Sequence, residues 1–155
     1  MGKVAKLLKL TPTGWHDLAR AAVELALANR QLRTSKARDL VAAEHGRGQG
    51  GRNAALSPRQ RRLVERVAYA VPALGLRVPW RSDCLVQALA ARRWLAGHDV
   101  SADLCIGVRK PGEAEFFAHA WLKVGETIVT GGDISGYVPL IAPQEEHIAA
   151  LDGRR

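Results

Sequence analysis

At 155 residues, with 47% apolar and 25% charged residues, the chain has the balance of a soluble globular protein that can bury one real core. No apolar run approaches the ~20 residues of a membrane span, and Met1 to Leu10 lacks the apolar core and small-residue cleavage site of a secretory signal, so a cytoplasmic protein is expected. The net charge is +8 and uneven: residues 1–80 hold 15 Lys and Arg against 5 Asp and Glu, and residues 81–155 hold 8 against 10. A basic half of this kind suits an acidic partner, and suits a solvated helical surface equally well.

In chain order, Leu10-Thr11-Pro12-Thr13-Gly14 reads as a turn with Thr13 as a candidate N-cap. Trp15 to Leu32 then has helical period, with Leu18, Ala21, Ala22, Leu25 and Ala26 on one stripe. Thr34-Ser35 breaks it, and Ser35 is placed to cap a short helix through Ala43. His45 to Asn53 holds four glycines and two arginines and reads as a loop. The GxxxxGK[ST] pattern of a phosphate loop is absent there and no strand precedes it.

Ser57-Pro58 opens the next helix, an N-cap followed by proline at the first helical position. Arg59 to Tyr69 continues it, with Leu63, Val64 and Val67 inward and Arg59, Arg61, Arg62 and Arg66 as a basic face; Pro72 and Gly75 are expected to end it. Ser82 or Asp83 caps a helix from Cys84 to Ala96, with Leu85, Ala88 and Leu89 inward, and Gly97 stops it. Three strands follow, over Ala102–Val108, Phe116–Val124 and Thr127–Thr130, with Gly125-Glu126 as a hairpin turn. Ser135-Gly136-Tyr137-Val138-Pro139 continues as loop or short strand, and Gln144 to Leu151 reads as a last short helix. Helices first and an antiparallel sheet later is an α+β order. The expected division is an N-terminal helical region over 1–56 and a core over 57–155, within one compact domain.

Two cysteines, Cys84 and Cys105, are too few for a disulfide scaffold and form no CxxC pair. No Cys and His cluster has zinc-ligand spacing, so neither metal nor cofactor is expected. Reduced thiols leave room for a nucleophile. Cys84 sits at a capped helix start, where the dipole favours a thiolate and the first-turn N–H groups lack intrahelical partners. Its alternative is a buried packing cysteine. Cys105, between Leu104 and Ile106, reads as core.

His119 lies 35 residues after Cys84, on the same strand face as Phe117 and Trp121. It is a candidate base for Cys84, or else a structural histidine bonded to a backbone carbonyl. His16, His45, His98 and His147 read as surface residues. Such a couple needs a third group to fix the imidazole tautomer, and Asp133 is the candidate. With a two-residue turn at Gly125-Glu126, Val124 pairs with Thr127 and His119 lies opposite Gly132, so Asp133 faces the wrong way. A longer turn, or a bulge at Gly131-Gly132, brings it round. The alternative for Asp133 is an Asx-type turn after the two glycines.

Cys84-Leu85-Val86-Gln87-Ala88-Leu89, Ile106-Gly107-Val108 and Ala118-His119-Ala120-Trp121-Leu122, with the upstream helix from Ala21 to Arg33, resemble the transglutaminase-like cysteine peptidases of lasso peptide biosynthesis. The resemblance covers roughly residues 15 to 142. It implies a transglutaminase-like or papain-like core with a Cys84, His119, Asp133 triad. In some relatives the acid lies slightly nearer the histidine, where this chain has Gly131. It implies removal of the leader from a ribosomally made precursor peptide, before an ATP-dependent asparagine-synthetase-like cyclase closes the macrolactam. Fused relatives carry a leader-recognition winged-helix domain. The first 70 residues here read as all-helical, which resembles the split form that relies on a separate leader-binding protein. Two other readings stay open: an inactive transglutaminase-like binding module with a basic docking face, and acyl transfer to an amine by the same triad. Nucleic acid is not the expected partner, because only Trp15 and Tyr69 supply aromatic rings before Val78.

Overall fold

The computed structural model describes residues 12–34, 55–109 and 118–141. The loop over 45–53, the helices read after Ser35 and from Gln144, and Phe116 and Phe117 lie outside the described residues. Among the described residues, three helices, α1 (Pro12–Thr34), α2 (Pro58–Gly75) and α3 (Cys84–Ala96), precede four strands, β1 (Asp103–Arg109), β2 (Ala118–Val124), β3 (Thr127–Thr130) and β4 (Tyr137–Ile141). The sheet is antiparallel, in the order β3-β2-β1-β4. This is the expected α+β arrangement.

α1 starts at Pro12, so Thr13 lies inside the helix and does not cap it. Leu18, Ala21, Leu25 and Ala28 form its buried stripe, whereas Ala26 is exposed. α2 opens on a reciprocal capping box: the Ser57 hydroxyl accepts from the Gln60 amide, and the Gln60 side chain accepts from the Ser57 amide at 3.0 Å. Pro72 does not end α2, which runs three residues further to Gly75. Leu63, Val64, Val67, Ala70 and Val71 pack inward.

Two acids on the inner side of α1 are buried, and each is matched by arginine from another helix. Asp17 takes a forked contact from Arg66 of α2, with Nε to Oδ2 at 2.7 Å and Nη2 to Oδ1. Glu24 accepts from Arg20 one turn earlier at 2.7 Å and from Arg93 of α3 at 3.1 Å. Arg66 is thus occupied by the fold, and the expected basic face of α2 reduces to the exposed Arg59, Arg61 and Arg62.

α1, α2 and α3 pack against one another, and α3 lies on β2 and β3. One core joins the three helices to Leu104, Leu122, Val124 and Val129 from the helix-facing side of the sheet. The other side of the sheet carries a small second cluster of Cys105 and Trp121 with Ile128, Ile134 and Tyr137. Cys105 is fully buried there, as its position between apolar neighbours foretold.

β4 is a full edge strand that pairs Arg109 with Tyr137, Val108 with Val138 and Gly107 with Pro139. Pro139 is compatible with this because, among the described residues, β4 has a partner on one side only.

Candidate functional site

Cys84 is the first residue of α3 and is half-buried. Asp83 is the cap, with extended backbone; its carboxylate accepts from the Val86 amide at 3.1 Å, and its carbonyl accepts from the Gln87 amide at 3.0 Å. The amides of Cys84 and Leu85 have no hydrogen-bond partner among the described residues. A thiol at this point lies in the positive field of the helix end, beside donors that can receive an oxyanion. Arg81 Nε donates to Asp83 Oδ2 at 2.6 Å, and the Gln87 side-chain Nε2 donates to the Ser82 carbonyl at 2.9 Å, which ties the approach to Cys84 down on both sides. Trp80 Nε1 and Ser82 Oγ, on that same approach, are buried atoms without a partner among the described residues. Sequence reasoning did not single out Trp80, because an unpaired indole N–H has no signature in a linear chain.

His119 is the second residue of β2. Its Nε2 lies 2.7 Å from the carbonyl oxygen of Gly131. A carbonyl only accepts, so the proton of the neutral ring sits on Nε2 and the lone pair on Nδ1. The ring packs against Tyr137, with centroids 4.8 Å apart and planes at 31°, and against Trp121 at 6.2 Å and 27°. The cross-strand residue is Gly107. A Cβ there would come within 2.8 Å of the Trp121 ring, so the absence of a side chain makes room for this stack.

The hairpin register explains where Asp133 ends up. Val124 pairs with Thr127 and Lys123 with Ile128, as a two-residue turn requires, but Leu122 then pairs with Thr130. Val129 is the extra residue of a bulge, placed earlier than Gly131-Gly132 where one was expected. The shift makes Asp133 the residue that continued pairing would set opposite His119. The ladder stops at Thr130, however, and Gly131 and Gly132 take φ of +108° and +66°. The chain turns away, the Gly131 carbonyl meets the imidazole, and Asp133 is exposed. The Asp133 carboxylate accepts from the Ser135 amide at 2.9 Å. That amide, and next the Ser135 hydroxyl, hold the carboxyl below the usual carboxylate range.

The structure therefore brings His119 together with Gly131, Tyr137 and Trp121, and Asp133 with Ser135. Among the described residues no hydrogen bond joins His119 to Cys84 or to Asp133. Cys84 starts the helix that packs on β2, and His119 rises from β2 on the side of Trp121. His16 and His98 are exposed, as expected, while His45 and His147 lie outside the described residues. No group of three or more His, Cys, Asp or Glu side chains among the described residues is arranged to hold a metal ion.

A family model described as the transglutaminase-like superfamily matches residues 13–142, most of the chain. Neither the curated proteins nor the solved structures give a match.

Proposed function

Since the chain belongs to the transglutaminase-like superfamily, a cysteine peptidase and acyltransferase type of fold, we propose that it is a cysteine peptidase that removes the leader from a ribosomally made lasso precursor peptide. The observation that carries the reading is the placement of Cys84 as the first residue of a capped helix, within the matched region. The motifs around Cys84 and His119 supply the narrower assignment to leader removal.

In this reading the Cys84 thiol gives its proton to His119 Nδ1 as sulfur attacks the scissile carbonyl. The oxyanion takes the N–H of Cys84. Collapse of the tetrahedral intermediate breaks the C–N bond, and the imidazolium returns its proton to the departing amine. Water then hydrolyses the thioester, which frees the leader carboxylate and restores the thiol. The Gly131 carbonyl holds the tautomer that this sequence of steps needs. The reading requires the sulfur and the imidazole to come within hydrogen-bond reach of each other when substrate is bound.

The product amine is what an ATP-dependent asparagine-synthetase-like cyclase would join to an acidic side chain. A separate leader-binding protein presents the precursor, and the reaction takes place in the cytoplasm. The test is incubation with the precursor, with and without the leader-binding protein, read by mass spectrometry. Release of an intact leader, faster with the partner, supports the reading. Transfer of the acyl group to an added amine in place of water would make the protein an acyltransferase. An unchanged precursor under all conditions would leave a binding module.

A further inference from the structure

We propose that Asp133 serves the site as a turn cap that seats the Tyr137 ring on His119, so that the imidazole is positioned by a backbone carbonyl and an aromatic face. The inference rests on the reading of His119 as the base for Cys84.

The segment from Gly131 to Tyr137 touches His119 at both of its ends. At one end the Gly131 carbonyl takes Nε2. At the other the Tyr137 ring covers the imidazole at 4.8 Å. Between them the chain is stitched by Ser135, whose N–H bonds the Asp133 carboxylate at 2.9 Å and whose hydroxyl also bonds it, and by the Tyr137 N–H, which bonds the Ile134 carbonyl at 3.0 Å. The Ser135 N–H to Asp133 bond closes the turn through a side chain. It is an Asx-type closure, which a carboxylate or a carboxamide oxygen completes equally well and a methyl group cannot. Directly after the turn, Tyr137 enters β4 opposite Arg109, so the turn sets where the ring arrives. The second face of the assembly is fixed independently, because Trp121 sits over Gly107 within β2 and β1. Loosening the turn therefore frees one side of the imidazole. The ring can then rotate, and the proton is no longer confined to Nε2.

A triad acid and a turn cap predict different responses to the same substitutions. The measurement is the tautomer of His119 by two-dimensional NMR of the full chain with ¹⁵N-labelled histidine. It is made at pH 8, above the ordinary imidazole range of ~6.5, and His119→Gln identifies the signal. Wild type should show the Nε2–H form with a contact between the Tyr137 and His119 rings. Asp133→Asn should keep both. Asp133→Ala should lose the ring contact and show averaged nitrogen shifts, and Tyr137→Leu should show the same averaging with Asp133 intact. Loss of the Nε2–H signature in Asp133→Asn would overturn the inference in favour of an acid acting through its charge. A Tyr137→Leu protein with an unmoved His119 signature would overturn the positioning role of the ring. The readout needs no substrate, so a failed peptidase reading and a failed positioning reading are told apart.

Discussion

The imidazole Nε2 of His119 lies 2.7 Å from the carbonyl oxygen of Gly131, a residue held at φ +108°. An L-residue with a side chain rarely adopts that backbone conformation. A Cβ on Gly131 would also stand 2.4 Å from the Cβ of Trp121. Gly131→Ala should therefore cost about 2–6 kcal/mol, from ~1–3 for strained backbone and ~1–3 for overpacking. Chemical denaturation checks this. If the variant folds, His119 should lose its Nε2–H tautomer as the carbonyl shifts.

The Asp133 carboxyl, held low by Ser135, gives a pH dependence of known sign. A depressed folded pKa means that the contribution is present above the unfolded value of ~3.9 and is lost as pH falls through the folded value. The Ser135 and Tyr137 amides should thus stay protected at pH 5 and open only below the ordinary aspartate range. In Asp133→Asn that acid step should vanish. Hydrogen exchange of the two amides against pH measures it.

The buried acids of α1 should matter more to stability than the exposed arginines of α2. Arg93→Ala leaves Glu24, only 3% exposed, with Arg20 alone, and Arg66→Ala strips Asp17, 6% exposed, of its forked partner. Removing one member of a buried pair costs ~3–5 kcal/mol. Both arginines are almost half exposed, so about 2 kcal/mol each is expected after solvent screening. Arg59→Ala and Arg62→Ala, at exposed positions, should stay within ~0.5 kcal/mol. Urea unfolding of the four variants tests the contrast.

Local signals were legible in the chain; partnerships across it were not. Ser57 with Pro58 and Gln60, Asp83 before Cys84, and Gly97 after α3 each act within one helical turn, and each end lies where their chemistry puts it. Asp17 and Glu24 look like surface residues of an amphipathic helix, because the arginines that justify their burial lie 49 and 69 residues away. In the sequence β4 reads equally as loop or strand, since Pro139 and Gly136 break its pattern and only pairing with β1 makes it a strand. Position 133 stands out by residue type, because a carboxylate is the visible candidate partner for a histidine. The partner His119 takes here is a carbonyl, which every residue carries, so composition could not mark Gly131.

If the remaining exposed arginines of α2, Arg59, Arg61 and Arg62, dock an acidic surface of the leader-binding protein, binding should weaken as salt rises. Exposed charges are screened beyond ~8 Å at physiological ionic strength. The triple alanine variant should bind the partner more weakly at low salt and lose most of the salt dependence. Unaltered affinity at low salt would make this face a solvated one. Titration calorimetry at two salt concentrations decides it.

The reading of Cys84 as the nucleophile is tested most directly by leader removal in two cysteine variants. Precursor and leader-binding protein are supplied in excess, and product is followed by mass spectrometry. Cys105 is buried on the far side of the sheet among Trp121 and its neighbours, so Cys105→Ala should still cleave. Cys84→Ala should retain its fold by circular dichroism and lose cleavage by at least ~10³-fold, the scale of removing a nucleophile. Cleavage by Cys84→Ala at the wild-type rate would contradict the assignment of a thiol peptidase to this chain.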